Sequence, residues 1–410
     1  MKNLLLISSI LFSHSFSFSQ NLIFNELPDI PVDYVSLLTT SRYNNKIIIN
    51  GGKANIADNP EFSYDYLLIY DTETDIWSTL TTSEPLSSGP VSEGYFNERS
   101  YENGEIIGNN LYTFNGWDLN NELKIIDIES GNVSLGANNP VARKAAGSAV
   151  WENNIYTFGG CIDPNNEDEI SSYTNSLYLY NVSLNSWTEL ASMPEAKESR
   201  GEIINNKLYV VGGYNGSVSN KIDVYNISTN QWENQYVMPF SVSANSLSVV
   251  ENYIFIIGDY VQLNRIAFFD VENGTFTNIE NNMLERRHSD AEIINENLFL
   301  IGGNSTTNVS DGGWLNSIEM ADLNQTLNVG NFQHLNRIKI YPNPTTNYIK
   351  IKDSQEPVLK YEIYDTLGKL IKLESEFDGE LIDMRSLIEG AYFVTLYFEK
   401  FSKTFKVLKN

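Results

Sequence analysis

The chain has 410 residues and a formal net charge of −25, with 12% aromatic and only 19% charged residues. The acidity sits in one part: residues 21–336 hold 14 Lys/Arg against 41 Asp/Glu, whereas residues 337–410 hold 12 against 11. A body so short of cations excludes a nucleic-acid footprint, and the shift in charge marks a domain boundary near residue 330.

The 24 tyrosines and the lack of long Ala/Leu/Glu/Lys runs at helical spacing indicate an all-β chain. Its first element, residues 1–19, has one Lys, an apolar run from Leu4 to Phe12 and then small polar residues. That layout reads as a signal peptide cleaved near Ser19 or Gln20, too short to span a bilayer. No cysteine stands there to carry a lipid anchor, and no other stretch is apolar for long enough to be a transmembrane segment. The single cysteine, Cys161, excludes an internal disulfide and reads as a small buried residue.

From residue 20 to 328 the dominant signal is an internal repeat. Strand-like runs end in a glycine pair at Gly51-Gly52, Gly159-Gly160, Gly212-Gly213 and Gly302-Gly303, with degraded copies at Asn115-Gly116 and Gly258-Asp259. After a variable loop comes an aromatic or apolar residue, and seven positions later another. The clear cases are Tyr70 with Trp77, Tyr180 with Trp187 and Tyr225 with Trp232; Phe269 with Phe276 and Ile126 with Val133 are weaker. Turn formers between them predict tight hairpins. Each of the six units therefore reads as a four-stranded antiparallel sheet that cannot cover both faces alone, and six such sheets set radially would bury one another.

Gly-Gly followed by Tyr, six residues and Trp resembles the kelch repeat, which implies a six-bladed kelch-type β-propeller over residues 20–328. Phe24 lies seven residues before Pro31, as Trp187 lies seven before Pro194. The N-terminal segment is therefore expected to give the last blade its outer strand, with Leu327 as a competitor for the place.

Two positions counted back from the glycine pair carry candidate residues. The sixteenth is Arg99, Arg143 and Arg286 in units two, three and six, with Lys197 and Arg287 one residue out of register. Kelch repeats often carry Arg there, so the resemblance implies either a structural role or contact with an acidic ligand. Arg200 and His288 join these ligand-binding candidates. The tenth position is Ser41, Glu105, Ala149, Glu202, Ser248 and Glu292, which puts glutamates in alternate blades on the innermost strand. Three converging carboxylates could bind Ca²⁺ through oxygen, share a proton through like-charge repulsion, or be solvated or paired with an arginine such as Arg200.

Residues 329–336 form a linker. Residues 337–410 read as six or seven short strands of a small Ig-like β-sandwich. Tyr341-Pro342-Asn343-Pro344-Thr345, Tyr364-Asp365 with Gly368-Lys369, Gly390 with Tyr392, and the basic end Lys403, Lys406 and Lys409 resemble the C-terminal sorting domain of the type IX secretion system of Bacteroidota. The resemblance implies export across both membranes, removal of the domain, and a mature protein that is released or attached to the outer surface. The type IX machinery is thus an expected partner.

The histidines are His14, His288 and His334. They support no Ser/His/Asp set, no His/Cys metal cluster and not the paired histidines of kelch-type copper oxidases. No phosphate loop or dinucleotide fingerprint is present. The expectation is a monomeric, non-enzymatic module that binds a protein or glycan and needs no cofactor beyond a possible Ca²⁺ at Glu105, Glu202 and Glu292. The alternative is a carbohydrate-active enzyme of the sialic-acid mutarotase kind, with Glu202 or Glu292 as base and Arg200, Arg286 or Arg287 holding the sugar carboxylate.

Overall fold

Runs rich in β-branched and aromatic residues, separated by Asn, Asp, Gly and Thr turns, fold into a series of antiparallel sheets. The computed structural model describes residues 21–32, 35–54, 66–86, 100–167, 169–233, 235–307 and 313–323, followed by 339–352, 357–365, 369–375, 377, 381–397 and 402–410. The predicted signal peptide and linker, Arg99, Gly368 and Leu327 lie outside the described residues. The chain divides into two compact units between Leu323 and Asn324.

The first unit holds six blades. Their innermost strands are Val35–Tyr43, Asn103–Ile107, Gly147–Trp151, Glu198–Ile204, Ser246–Val250 and Asp290–Ile294. Each lies beside the innermost strand of the next blade, and the sixth lies beside the first, so the ring closes around a channel. The outermost strand of blade 6 is Asn25–Leu27, which pairs antiparallel with Ile318–Asp322. The N-terminal segment therefore closes the ring.

The glycine pairs are fixed by close approach. Gly159 has φ +59°, and a Cβ there would stand 2.3 Å from the Lys197 carbonyl oxygen of the next blade. Gly213 has φ +110°, and its Cβ would stand 2.1 Å from the Glu198 carbonyl oxygen. Only glycine combines that conformation with that space.

The aromatic pairs seven residues apart face each other across each outer hairpin, with ring centroids 5.0 Å apart for Tyr70 and Trp77, 4.9 Å for Tyr180 and Trp187, and 5.3 Å for Tyr225 and Trp232. They pack onto the preceding blade: Tyr180 and Trp187 on Tyr112 and Phe114, Tyr225 and Trp232 on Tyr156 and Phe158. Burying one such side chain contributes about 1.5–3 kcal/mol. Each indole also donates to a backbone carbonyl of the preceding blade's edge: Trp187 to Ala137, Trp232 to Ala191, and Trp77 to Pro28 at the ring's closing seam. Cys161 is fully buried, and burial pushes its thiol up to about 11.

The second unit is a two-sheet sandwich. Lys339–Tyr341, Tyr348–Lys352 and Leu381–Asp383 form one sheet; Leu370–Glu374, Lys360–Asp365, Gly390–Tyr397 and Ser402–Lys409 form the other. Ile349, Ile363, Ile382, Val394 and Leu396 fill the space between. The Tyr341–Thr345 turn is tied to the C-terminal strand: Asn343 Oδ1 accepts from Leu408 N (2.8 Å), and Thr345 N donates to the Leu408 carbonyl (2.8 Å). The Tyr392 hydroxyl donates to the Ile388 carbonyl (3.1 Å) just before Gly390. No helix among the described residues is long and apolar enough to cross a membrane.

Candidate functional site

Side chains alternate along a strand, so each innermost strand turns every second residue to the channel. At the tenth position before the glycine pair, Ser41, Glu105, Ala149, Glu202, Ser248 and Glu292 all line one cavity of about 380 Å³. Two residues earlier, Thr39, Asn103, Gly147, Arg200 and Asp290 line the same cavity. Glu105, Glu202 and Glu292 thus face one lumen, with Arg200 and Asp290 one level away.

Hydrogen bonds fix part of this wall. Asp290 accepts from Thr40 N (2.7 Å) and stands 3.5 Å from the half-buried Arg200 guanidinium. Thr40 Oγ1 donates to Glu292 Oε1 (3.1 Å). Asn103 donates to the Ala146 carbonyl (2.9 Å) and to Ser148 Oγ (3.0 Å).

Removal from water disfavours the charged form of every carboxyl here. It pushes Glu202 and Glu292 up to about 8 and Glu105 up to about 7, with neighbouring carboxylates adding to the effect. Asp290 is raised for the same first reason, and Arg200 opposes all but the Glu292 shift. The wall can therefore give and take protons near neutral pH.

A collar forms the mouth at the fourteenth position. Leu37, Tyr101, Ala145, Ala244 and His288 are left-handed there, with φ between 50° and 59°; blade 4 instead has a register shift between Glu198 and Arg200. Backbone bonds run from blade to blade along the collar: Tyr101 N to Leu37 O (3.0 Å), Leu37 N to His288 O (2.9 Å), His288 N to Ala244 O (2.8 Å). Five non-glycine residues in that conformation, at of order 1 kcal/mol or more each, mark a place the surrounding structure holds under strain.

His288 is kept well below its ordinary value by burial and by Arg287, Arg200 and Lys144. Its Nε2 lies 3.2 Å from Arg287 Nη1. A guanidinium only donates, so Nε2 accepts and the neutral ring carries its hydrogen on Nδ1.

Aromatic residues surround the mouth. Tyr101 and Trp117 stack at 6.2 Å, with Lys144 Nζ 4.9 and 4.4 Å from their ring centroids and ion-paired to Glu167. Tyr214 meets Tyr173 edge to face, and Tyr260 is exposed beneath Arg287, whose guanidinium carbon lies 4.4 Å above the ring.

Several predicted ligand-binding residues are placed elsewhere. Arg143 and Arg286 are fully buried inside their blades. Arg143 donates to Gly159 O (2.9 Å) and Ser176 Oγ (2.9 Å); Arg286 donates to Gly302 O (2.8 Å) and is ion-paired with Glu319. Both clamp the glycine turn sixteen residues on, so neither can meet a ligand, and Arg286 cannot hold a sugar carboxylate. Lys197 pairs with buried Asp223 at 2.8 Å. Arg287 is nearly buried and donates to Thr306 O (2.6 Å), which leaves Arg200, among the described residues, as the predicted arginine on the wall. The Ca²⁺ expectation finds no ligand set: among the described residues no group of three or more His, Cys, Asp or Glu comes together closely enough to hold a metal ion. The glutamates reach the lumen from alternate blades, with a whole strand between each pair.

Sequence reasoning missed Asp290, the aromatic rim and, apart from His288, the collar. One signal was available: Trp117, Cys161, Tyr214 and Tyr260 each stand two residues after the first residue of a glycine pair.

Six antiparallel blades, five of four strands and the fourth with its outer strand broken in two, with glycine-pair turns and cross-strand aromatics, define a kelch-type propeller. The model of the KLHDC2/KLHL20/DRC7 Kelch-repeats domain matches residues 37–259, more than half of the chain, and the protein belongs to the kelch-repeat family. Residues 339–410 match the secretion system C-terminal sorting domain, which directs export to the cell surface or extracellular space through the type IX machinery. A Rho GTPase-activating protein, gacHH, of Dictyostelium discoideum is 29% identical over 142 residues; the match covers 32% of this chain and 9% of that protein.

Proposed function

We propose that the exported propeller is a non-enzymatic glycan-binding module that takes its ligand at the glycine-pair end of the channel. The carrying observation is the mouth itself: stacked Tyr101 and Trp117 stand beside a narrow polar opening walled by Arg200, Glu198 and His288. Flat aromatic faces suit the apolar faces of sugar rings, and the convergent polar groups suit their hydroxyls. A protein partner would call for a broad rim, whereas a cavity of about 380 Å³ behind the mouth suits one or two sugar units. Titration of the full chain against an array of immobilised glycans tests this reading. Selective retention that Trp117→Ala weakens at least tenfold supports it. Retention of no glycan, or retention indifferent to Trp117, refutes it.

A second reading rests on Glu202 and Glu292, whose burial brings both to about 8, in the range suited to a general acid or base. Under it the module is a carbohydrate-active enzyme, with Arg200 orienting the sugar. NMR of sialic-acid anomerisation with and without the protein decides it, because an unchanged rate leaves these carboxyls no catalytic part.

A further inference from the structure

A smaller pocket of about 50 Å³ opens beside the collar and shares Thr39, Asn103, Ala146 and Arg200 with the main channel. Two residues in its wall are more than nine-tenths buried and carry polar atoms that no protein group satisfies: Ser199 Oγ and Asn245 Nδ2. A buried donor left unpaired costs about 1–3 kcal/mol, and native folds carry few of them. Neither atom has a protein hydrogen bond to give up in turning towards a ligand. The rest of the wall brings the collar carboxyl Glu198 together with the methyl groups of Ala145, Ala146 and Ala244.

We infer that this pocket is the subsite for the acetamido group of an N-acetylated amino sugar; the inference rests on the glycan-binding reading and specifies its ligand. An acetamido group presents one carbonyl acceptor, one N–H donor and one methyl. Asn245 Nδ2 and Ser199 Oγ supply donors for the carbonyl. Glu198 supplies an acceptor for the N–H in either protonation state, because a carboxyl group keeps a free acceptor oxygen. The alanine methyls give the acetyl methyl an apolar wall. A bare hydroxyl would leave the alanine wall without a partner. The Tyr101 ring, which also lines the pocket, is placed to meet the sugar that carries the group.

The test is NMR titration of the full chain with the methyl glycosides of N-acetylglucosamine and N-acetylgalactosamine, each against its glucoside or galactoside counterpart. At least one N-acetyl sugar should bind tenfold or more tightly than its counterpart. In Asn245→Leu and in the milder Ser199→Ala, with melting curves confirming the fold, that ratio should fall towards one. Equal affinity with and without the acetamido group would overturn the subsite while leaving the glycan reading intact. Binding of no sugar would overturn both, and binding of an acetyl-lysine peptide in place of either sugar would overturn the assignment to glycans.

Discussion

The interior of the blades and the wall of the channel follow different periods. Inside the sheets the same signals recur at constant offsets: the glycine pair, intact in four blades, and the Tyr–Trp pair with its indole bond to the preceding blade, in three. On the wall, large polar side chains recur in every second blade. Tyr101, Glu198 and His288 form the collar, Asn103, Arg200 and Asp290 the level below it, and Glu105, Glu202 and Glu292 the next. Between them stand smaller residues such as Gly147, Ala145, Ala149, Ala244 and Ser248. The reason is room, since six long side chains at one level of a narrow channel would collide whereas three alternating with small ones interlock. Residues at the constant offsets inside the sheets serve the fold; those that alternate around the wall are what the channel can hold. Arginine divides along that line, with Arg143 and Arg286 on one side and Arg200 on the other.

The largest effect should come from exchanging members of that division. Arg286→Met leaves Glu319 buried without its cation and the Gly302 carbonyl without its donor. Removing one partner of a buried pair costs about 3–5 kcal/mol, or a fall of roughly 10 °C in the calorimetric midpoint at about 2–4 °C per kcal/mol. Arg200→Met should move the midpoint by about 2 °C or less, because its side chain is 33% exposed and its Asp290 contact is long at 3.5 Å. Equal falls in the two variants would erase the distinction between wall and blade.

A smaller effect separates the regions by pH. Glu202 and Glu292 lie near 8 in the fold, raised by burial, against an ordinary 4.5. Between those values the folded state holds more protons than the unfolded chain, so stability falls as pH rises from about 4.5 to 8 and levels off above. Glu202→Gln should raise the melting midpoint at pH 8.5 by about 2 °C, on the order of 1 kcal/mol, and flatten the decline measured from pH 5 to 9. A wild-type midpoint that climbs over that range would mean that the narrow channel does not hold these half-buried carboxyls away from water.

Much of the ring was legible because its signals sit at constant offsets. The glycine pair, the aromatic seven residues apart and the truncated unit at Phe24 locate all six blades and the closing strand, and the tenth-position glutamates locate one level of the wall. Apart from Arg200, the level above it was not legible, because Thr39, Asn103, Gly147, Arg200, Ser246 and Asp290 share no residue type that a repeat could reveal. The sixteenth-position arginines were visible, but the sequence left a structural role and a ligand contact both open; the fold turns Arg143 and Arg286 inward, onto carbonyls that only the folded glycine turn presents. The collar depends on backbone handedness at Leu37, Tyr101, Ala145, Ala244 and His288, and five different contexts for one left-handed residue leave no common mark in a chain of letters.

The smallest predicted effect compares the closing seam with an ordinary blade junction. Trp77 Nε1 donates to Pro28 O (3.1 Å) at the seam, as Trp187 Nε1 donates to Ala137 O (2.7 Å) between blades 2 and 3. Either Trp→Phe substitution removes one partly exposed hydrogen bond, about 1 kcal/mol, so the two midpoints should fall by a similar small amount of roughly 2–4 °C. The local consequences should differ. Pro28 and Ala137 both lie on chain that runs on into the next blade, but Val133–Leu135 is also joined to its own blade by a hairpin from Lys124–Asp127, whereas Asn25–Leu27 is held to blade 6 by pairing with Ile318–Asp322. Amide exchange in Asn25–Leu27 should therefore accelerate several-fold in Trp77→Phe, while Val133–Leu135 keeps its protection in Trp187→Phe. Matching acceleration at both places would show that an outer strand held to its blade by pairing is no weaker a point of opening than one also joined to it by a hairpin.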